Sequence, residues 1–101
     1  MTLHPDFQKL LPLVMSALKK DNIKAAYIFG SACSEHFKNE SDLDLLVEID
    51  DSDPSRYSAT WYELLFDLED RTGRAIDLLT PSALDNVYFK QEVLETAVRL
   101  I

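Results

Sequence analysis

The chain has 101 residues, of which 47% are hydrophobic and 28% charged, and a formal charge of −8 from 18 acidic and 10 basic side chains. This fits a single globular domain spanning residues 1–101 and excludes a disordered chain. The acidic balance argues against broad binding to phosphate backbones, and the one cysteine, Cys33, leaves no internal disulfide and no implied oxidising compartment.

From the N-terminus, Phe7, Leu10, Leu11, Val14 and Leu18 follow helical spacing. Pro12 interrupts it, so the helix either kinks there or begins there, and it ends near Asp21-Asn22. The start of the chain lacks a basic region followed by an apolar run, so no signal peptide is expected. The apolar stretch from Leu10 to Leu18, broken by Pro12 and Ser16, is too short to span a bilayer. The expected location is the cytoplasm, with no membrane contact.

Ile23 to Phe29 reads as a strand, which Gly30-Ser31 ends abruptly. A short helix over 31–36 and a polar loop over 36–41 follow. Leu43 to Ile49 is a second strand, nearly all apolar after Asp44 and hence central and covered on both faces. Asp53 and Pro54 suit the cap and first position of a long helix. Tyr57, Trp61, Leu64, Leu65 and Leu68 line one face of that helix, and Gly73 closes it. Ala75 to Leu79 is a third strand. Ser82 and Asp85 are read as a capping pair for a last helix over 83–96, with 97–101 a short fourth strand or a tail.

The first two strands are close in sequence and should pair antiparallel. The third follows a helical crossover and should lie parallel to the second. The fold class is α+β: a small mixed sheet backed by helices. The acids crowded at Glu48, Asp50, Asp51 and Asp53, and at Asp67, Glu69 and Asp70, read as solvated helix ends and loops.

Three features carry chemistry. Phe29-Gly30-Ser31-Ala32 runs from a strand into a glycine turn and a helix start, where backbone N–H groups and the Ser31 hydroxyl suit a phosphate. Alone it is also the pattern of an ordinary turn. Asp42 and Asp44 are two residues apart and point the same way from a strand entry. Carboxylates ~4 Å apart repel by about 4 kcal/mol at an effective dielectric of about 20, which a divalent cation would relieve. Otherwise they are a solvated strand end. Asp77 interrupts the apolar run Ala75 to Leu79 and asks for a metal, or for an ion pair with Arg71 or Arg74.

Gly30-Ser31, ten residues, then Asp42-x-Asp44, with a later strand acid at Asp77, resembles the signature of the polymerase β-like nucleotidyltransferase superfamily. The length and the stretches SDLDLLVE (41–48) and AIDLLT (75–80) resemble its minimal nucleotidyltransferases. The resemblance implies that Gly30 and Ser31 hold the triphosphate of ATP or another NTP. It implies that Asp42, Asp44 and Asp77 are catalytic residues binding two Mg²⁺ ions, with Asp77 helping to deprotonate an acceptor hydroxyl. It also implies a partner, since such proteins pair with HEPN toxins and are similar to antitoxins that attach AMP to the partner. The family's Ala-Arg-Gly segment after the Gly-Ser pair is replaced here by Ala32-Cys33-Ser34-Glu35-His36. The lost arginine weakens the expected grip on phosphate, with His36 or Lys38 as stand-ins. A contact-only antitoxin on the same fold is the alternative, and nucleotidyl transfer to a small molecule ranks below both. Of the remaining residues, Cys33 reads as filler, His4 as a terminal polar residue and Trp61 as core. Tyr57 and Tyr62 fit either core or partner contact, and a homo-oligomer is one use for exposed apolar helix surface.

Overall fold

A computed structural model describes residues 3–101. Proline splits the first helical pattern in two. Pro5 opens α1 (Pro5–Gln8), and Pro12 lies in the first turn of α2 (Leu11–Ala17), where its missing N–H costs nothing. His4 is more than a terminal polar residue: its Nδ1 accepts the Asp6 amide at 3.0 Å and caps α1.

The strands are β1 (Ile23–Phe29), β2 (Leu43–Ile49), β3 (Ile76–Leu79) and β4 (Val98–Arg99), in the order β3-β2-β1-β4. β1 pairs antiparallel with β2 and with β4, whereas β2 and β3 are parallel, as the connections predict. The alternation of side chains gives the sheet two faces. Ala26, Ile28, Leu43, Leu45, Val47 and Leu78 face the larger core with Phe7, Val14, Leu18, Leu64 and Leu68. Phe29 and Leu46 face the other way and meet Val93.

The long helix α3 (Pro54–Thr72) starts where the chain marks it. Asp53 Oδ1 accepts the Ser55 amide at 2.8 Å, and Gly73 terminates the helix at φ +67°. Leu64 and Leu68 are fully buried on its inner face, which contributes roughly 1.5–3 kcal/mol each. The last helix, α4 (Val87–Thr96), begins later than expected. Residues 81–85 form a tight 3-10 turn instead, and the cap is Asn86, whose Oδ1 accepts the Tyr88 amide at 2.9 Å. Ser82 and Asp85 are therefore not its capping pair. No described helix is long and apolar enough to cross a membrane.

Candidate active site

The site lies on the smaller core's face of the sheet, where β1 ends and β2 and β3 begin. Phe29 stands opposite Asp44, and Asp44 opposite Asp77. β1 then breaks into a 3-10 turn over Gly30–Cys33. Gly30 has φ +73°, in the left-handed region, and a Cβ built there would collide with the Asp44 carboxylate. Both the backbone conformation and the close approach require glycine.

The carboxylates differ in setting. Asp44 is half-buried, while Asp42 and Asp77 are exposed. Burial pushes the Asp44 carboxyl up to about 7, and the neighbouring Asp77, Glu92 and Asp42 charges add to the effect in that order. Asp77 is thus not a carboxylate sunk in an apolar strand: on the edge strand its side chain reaches solvent. Neither arginine pairs with it. Arg71 binds Asp67 at 2.7 Å. Arg74 donates to the Lys38 carbonyl at 2.8 Å and the Ser41 carbonyl at 3.0 Å, and lies 4.5 Å over the Phe37 ring. It fastens the loop that leads into Asp42.

Glu92 of α4 is the acid that sequence reasoning missed. Its Oε1 would be 3.3 Å from a Cβ on Gly30, and its charge weighs on Asp44 more than that of Asp42 does. The only local signal was Val93 beside it, which marks one side of the helix as buried.

Among the described residues, no three His, Cys, Asp or Glu side chains are grouped closely enough to hold a metal ion as they stand. The donor set still suits a hard cation. It consists of carboxylate oxygens whose charges add to the burial that raises Asp44, and no described ion pair neutralises Asp42, Asp44, Asp77 or Glu92.

Other residues fall into place around this cluster. Cys33 is buried filler, its thiol pushed up by burial. Trp61 packs partly against the larger core, while Tyr62 is 54% exposed and stacks on Phe66. Tyr57, Trp61 and Tyr62 line a cavity of about 470 Å³ with Leu78 and Leu79 of β3. The acidic run after β2 serves α3: Asp53 caps it, and Asp51 binds Arg56 at 3.1 Å.

Known proteins resemble this chain in architecture and, more distantly, in sequence. A polymerase beta nucleotidyltransferase domain matches residues 13–101. A Methanocaldococcus jannaschii protein, MJ1379, provisionally named a protein adenylyltransferase, is 32% identical over 79 residues, which cover 78% of each chain. A toxin–antitoxin crystal structure with AMP-PNP superposes with a TM-score of 0.70 at 19% identity, covering 90% of this chain and 72% of the other. The Shewanella oneidensis complex of a tri-AMPylated HEPN toxin with its MNT antitoxin gives 0.64 at 19% identity, covering 93% and 71%. With the matching domain running from α2 through β4, this chain belongs to the polymerase beta nucleotidyltransferase family and is a nucleotidyltransferase.

Proposed function

We propose that this chain transfers AMP from ATP to a hydroxyl group of a partner protein, in a Mg²⁺-dependent reaction, as the antitoxin of a HEPN/MNT pair in the cytoplasm. The observation that carries the reading is the side-by-side placement of Asp44 and Asp77 next to the Gly30 turn. The names of the archaeal relative and of the toxin–antitoxin complexes support the choice of AMP and of a protein acceptor.

In this reading Gly30 lets the backbone approach the triphosphate, and the Ser31 hydroxyl donates to it. Asp42, Asp44 and Asp77 would hold two Mg²⁺ ions, which neutralise charge on the phosphates. Asp77, exposed on the edge strand, takes the proton of the acceptor hydroxyl. The acceptor oxygen forms a bond to the α-phosphorus, the bond from that phosphorus to the bridging oxygen breaks, and pyrophosphate leaves.

A second reading has one sequence feature in its favour. The loop after Gly30-Ser31 lacks an arginine, and His36 and Lys38 are exposed rather than directed at the turn by any described hydrogen bond. A charge-assisted hydrogen bond is worth about 1.5–3 kcal/mol, so a contact-only antitoxin is the alternative.

The test incubates the protein with the product of its neighbouring gene, Mg²⁺ and ATP labelled at the α-phosphate. Wild type should label the neighbour and Asp44→Asn should not. A stable complex without label would favour the contact-only reading.

A further inference from the structure

α4 is clamped onto the turn that the proposed function assigns to phosphate. The Gly30 amide donates to Thr96 Oγ1 at 3.0 Å, and that hydroxyl in turn donates to the Glu92 carbonyl at 2.8 Å. One turn earlier on the same helix face, the Glu92 carboxylate hangs over Gly30, 3.3 Å from the position of a Cβ. Both features occupy space and a hydrogen-bond donor that a phosphate would use. Glu92 also places a negative charge where phosphate oxygens would come, and it already burdens Asp44.

We infer that α4 is an autoinhibitory latch: Thr96 and Glu92 hold the Gly30 turn closed, and nucleotide binds only to the fraction of molecules in which the helix has released it. The inference rests on the nucleotidyl-transfer reading and adds its regulation. The turn's amide is the contested group. When Thr96 releases it, the N–H is free to donate to a phosphate, and withdrawal of Glu92 removes a like charge. Apparent affinity is lowered in proportion to the closed fraction, so any change that loosens the latch should tighten binding. β4 tethers the chain to β1 only two residues after Thr96, so release is a local shift of the last helical turn and a swing of the Glu92 side chain, not departure of the helix. The Asn86 cap and the packing of Val93 on Phe29 and Leu46 would keep the helix in place while its C-terminal turn yields.

The experiment compares the full chain with Thr96→Val, which keeps the branched shape and loses the hydroxyl, and with Glu92→Gln, which keeps the size and loses the charge. Glu95→Gln, an exposed change on the same helix, is the control. Two readouts are taken: exchange of the Gly30 amide without ligand, and calorimetric titration with Mg²⁺ and AMP-PNP. The latch predicts faster Gly30 exchange in Thr96→Val. It also predicts binding tighter by about fivefold or more in both latch variants, the equivalent of about 1 kcal/mol for one net hydrogen bond, with Glu95→Gln unchanged. Equal or weaker binding in Thr96→Val and Glu92→Gln overturns the latch while leaving the transfer reading intact. Weaker binding in Glu92→Gln alone makes Glu92 a metal ligand and overturns its part. If no protein binds nucleotide although Gly30 exchange differs as expected, the transfer reading fails and the latch fails with it.

Discussion

Asp44 and Asp77 face each other across neighbouring parallel strands, one half-buried and one open to solvent. The pairing follows from topology. Each acid lies near the start of its strand, and parallel strands bring their starts to the same end of the sheet. Sequence positions 33 residues apart thus become a single acidic ridge without any loop to position them.

That ridge should make the metal-free protein less stable as pH rises. The Asp44 carboxyl moves from 3.8 to about 7 on folding. Between those values the folded chain keeps a proton that the unfolded chain has released, so stability is greatest below about pH 4 and is lost as pH climbs through about 7. Asp44→Asn should therefore stabilise the protein at pH 8 and do little at pH 4. The whole shift corresponds to ~4 kcal/mol, which solvent screening at a half-buried site reduces to about 1–2 kcal/mol. Thermal melts of both proteins at the two pH values check this; parallel pH curves would contradict it.

Catalysis should respond in the opposite sense. Asp77→Asn leaves an exposed polar side chain and a folded protein, but removes the group proposed to take the acceptor's proton. We expect transfer to fall by about 10²–10⁴-fold with melting temperature unchanged or slightly raised, since a like charge beside Asp44 is removed. A steady-state assay beside a melt separates loss of chemistry from loss of fold.

The two glycines offer a controlled comparison. Both have positive φ, but a Cβ at Gly73 meets nothing within 4 Å, while one at Gly30 strikes Asp44. Gly73→Ala should cost about 1 kcal/mol, the penalty of a left-handed alanine alone. Gly30→Ala should cost more, by about 1–3 kcal/mol, because the carboxylate must move as well. Equal losses in urea titrations would mean that the close approach carries no energy.

Arg74 should prove a positioning residue. Its two hydrogen bonds and its contact with Phe37 hold residues 38–41, the approach to Asp42. Arg74→Lys keeps the charge and loses the planar fork. The expected result is faster amide exchange at Ser41 and a transfer rate lowered several-fold, with global stability reduced by only about 1 kcal/mol. Unchanged exchange at Ser41 would remove the basis for this role.

Most of the scaffold was legible because its signals are local. Asp53-Pro54 and Gly73 bound α3, and the apolar runs 23–29 and 43–49 are β1 and β2 to the residue. The start of α4 was not legible. Ser82 and Asp85 have the spacing of a capping pair, but Pro81 draws them into a 3-10 turn and passes the cap to Asn86. In the site, strand pairing sets Asp44 beside Asp77 and the end of β1 brings Gly30 to Asp44. Glu92 and the job of Arg74 stayed hidden because both depend on how a helix or loop docks, and no periodicity encodes docking. The isolation of Asp77 within an apolar run misled for a related reason. An edge strand has one open flank, which a linear pattern does not reveal.

The bond between Gly30 and Thr96 joins residues 66 apart, and β4, which follows α4, pairs with β1 in the sheet. β1 and β2 pair across a 13-residue connection, a far shorter separation than that between Gly30 and Thr96. Contacts of the longer separation form late. We expect a φ-value near zero at Thr96, and a high one there would reverse the order: the chain would be building its site from both ends at once.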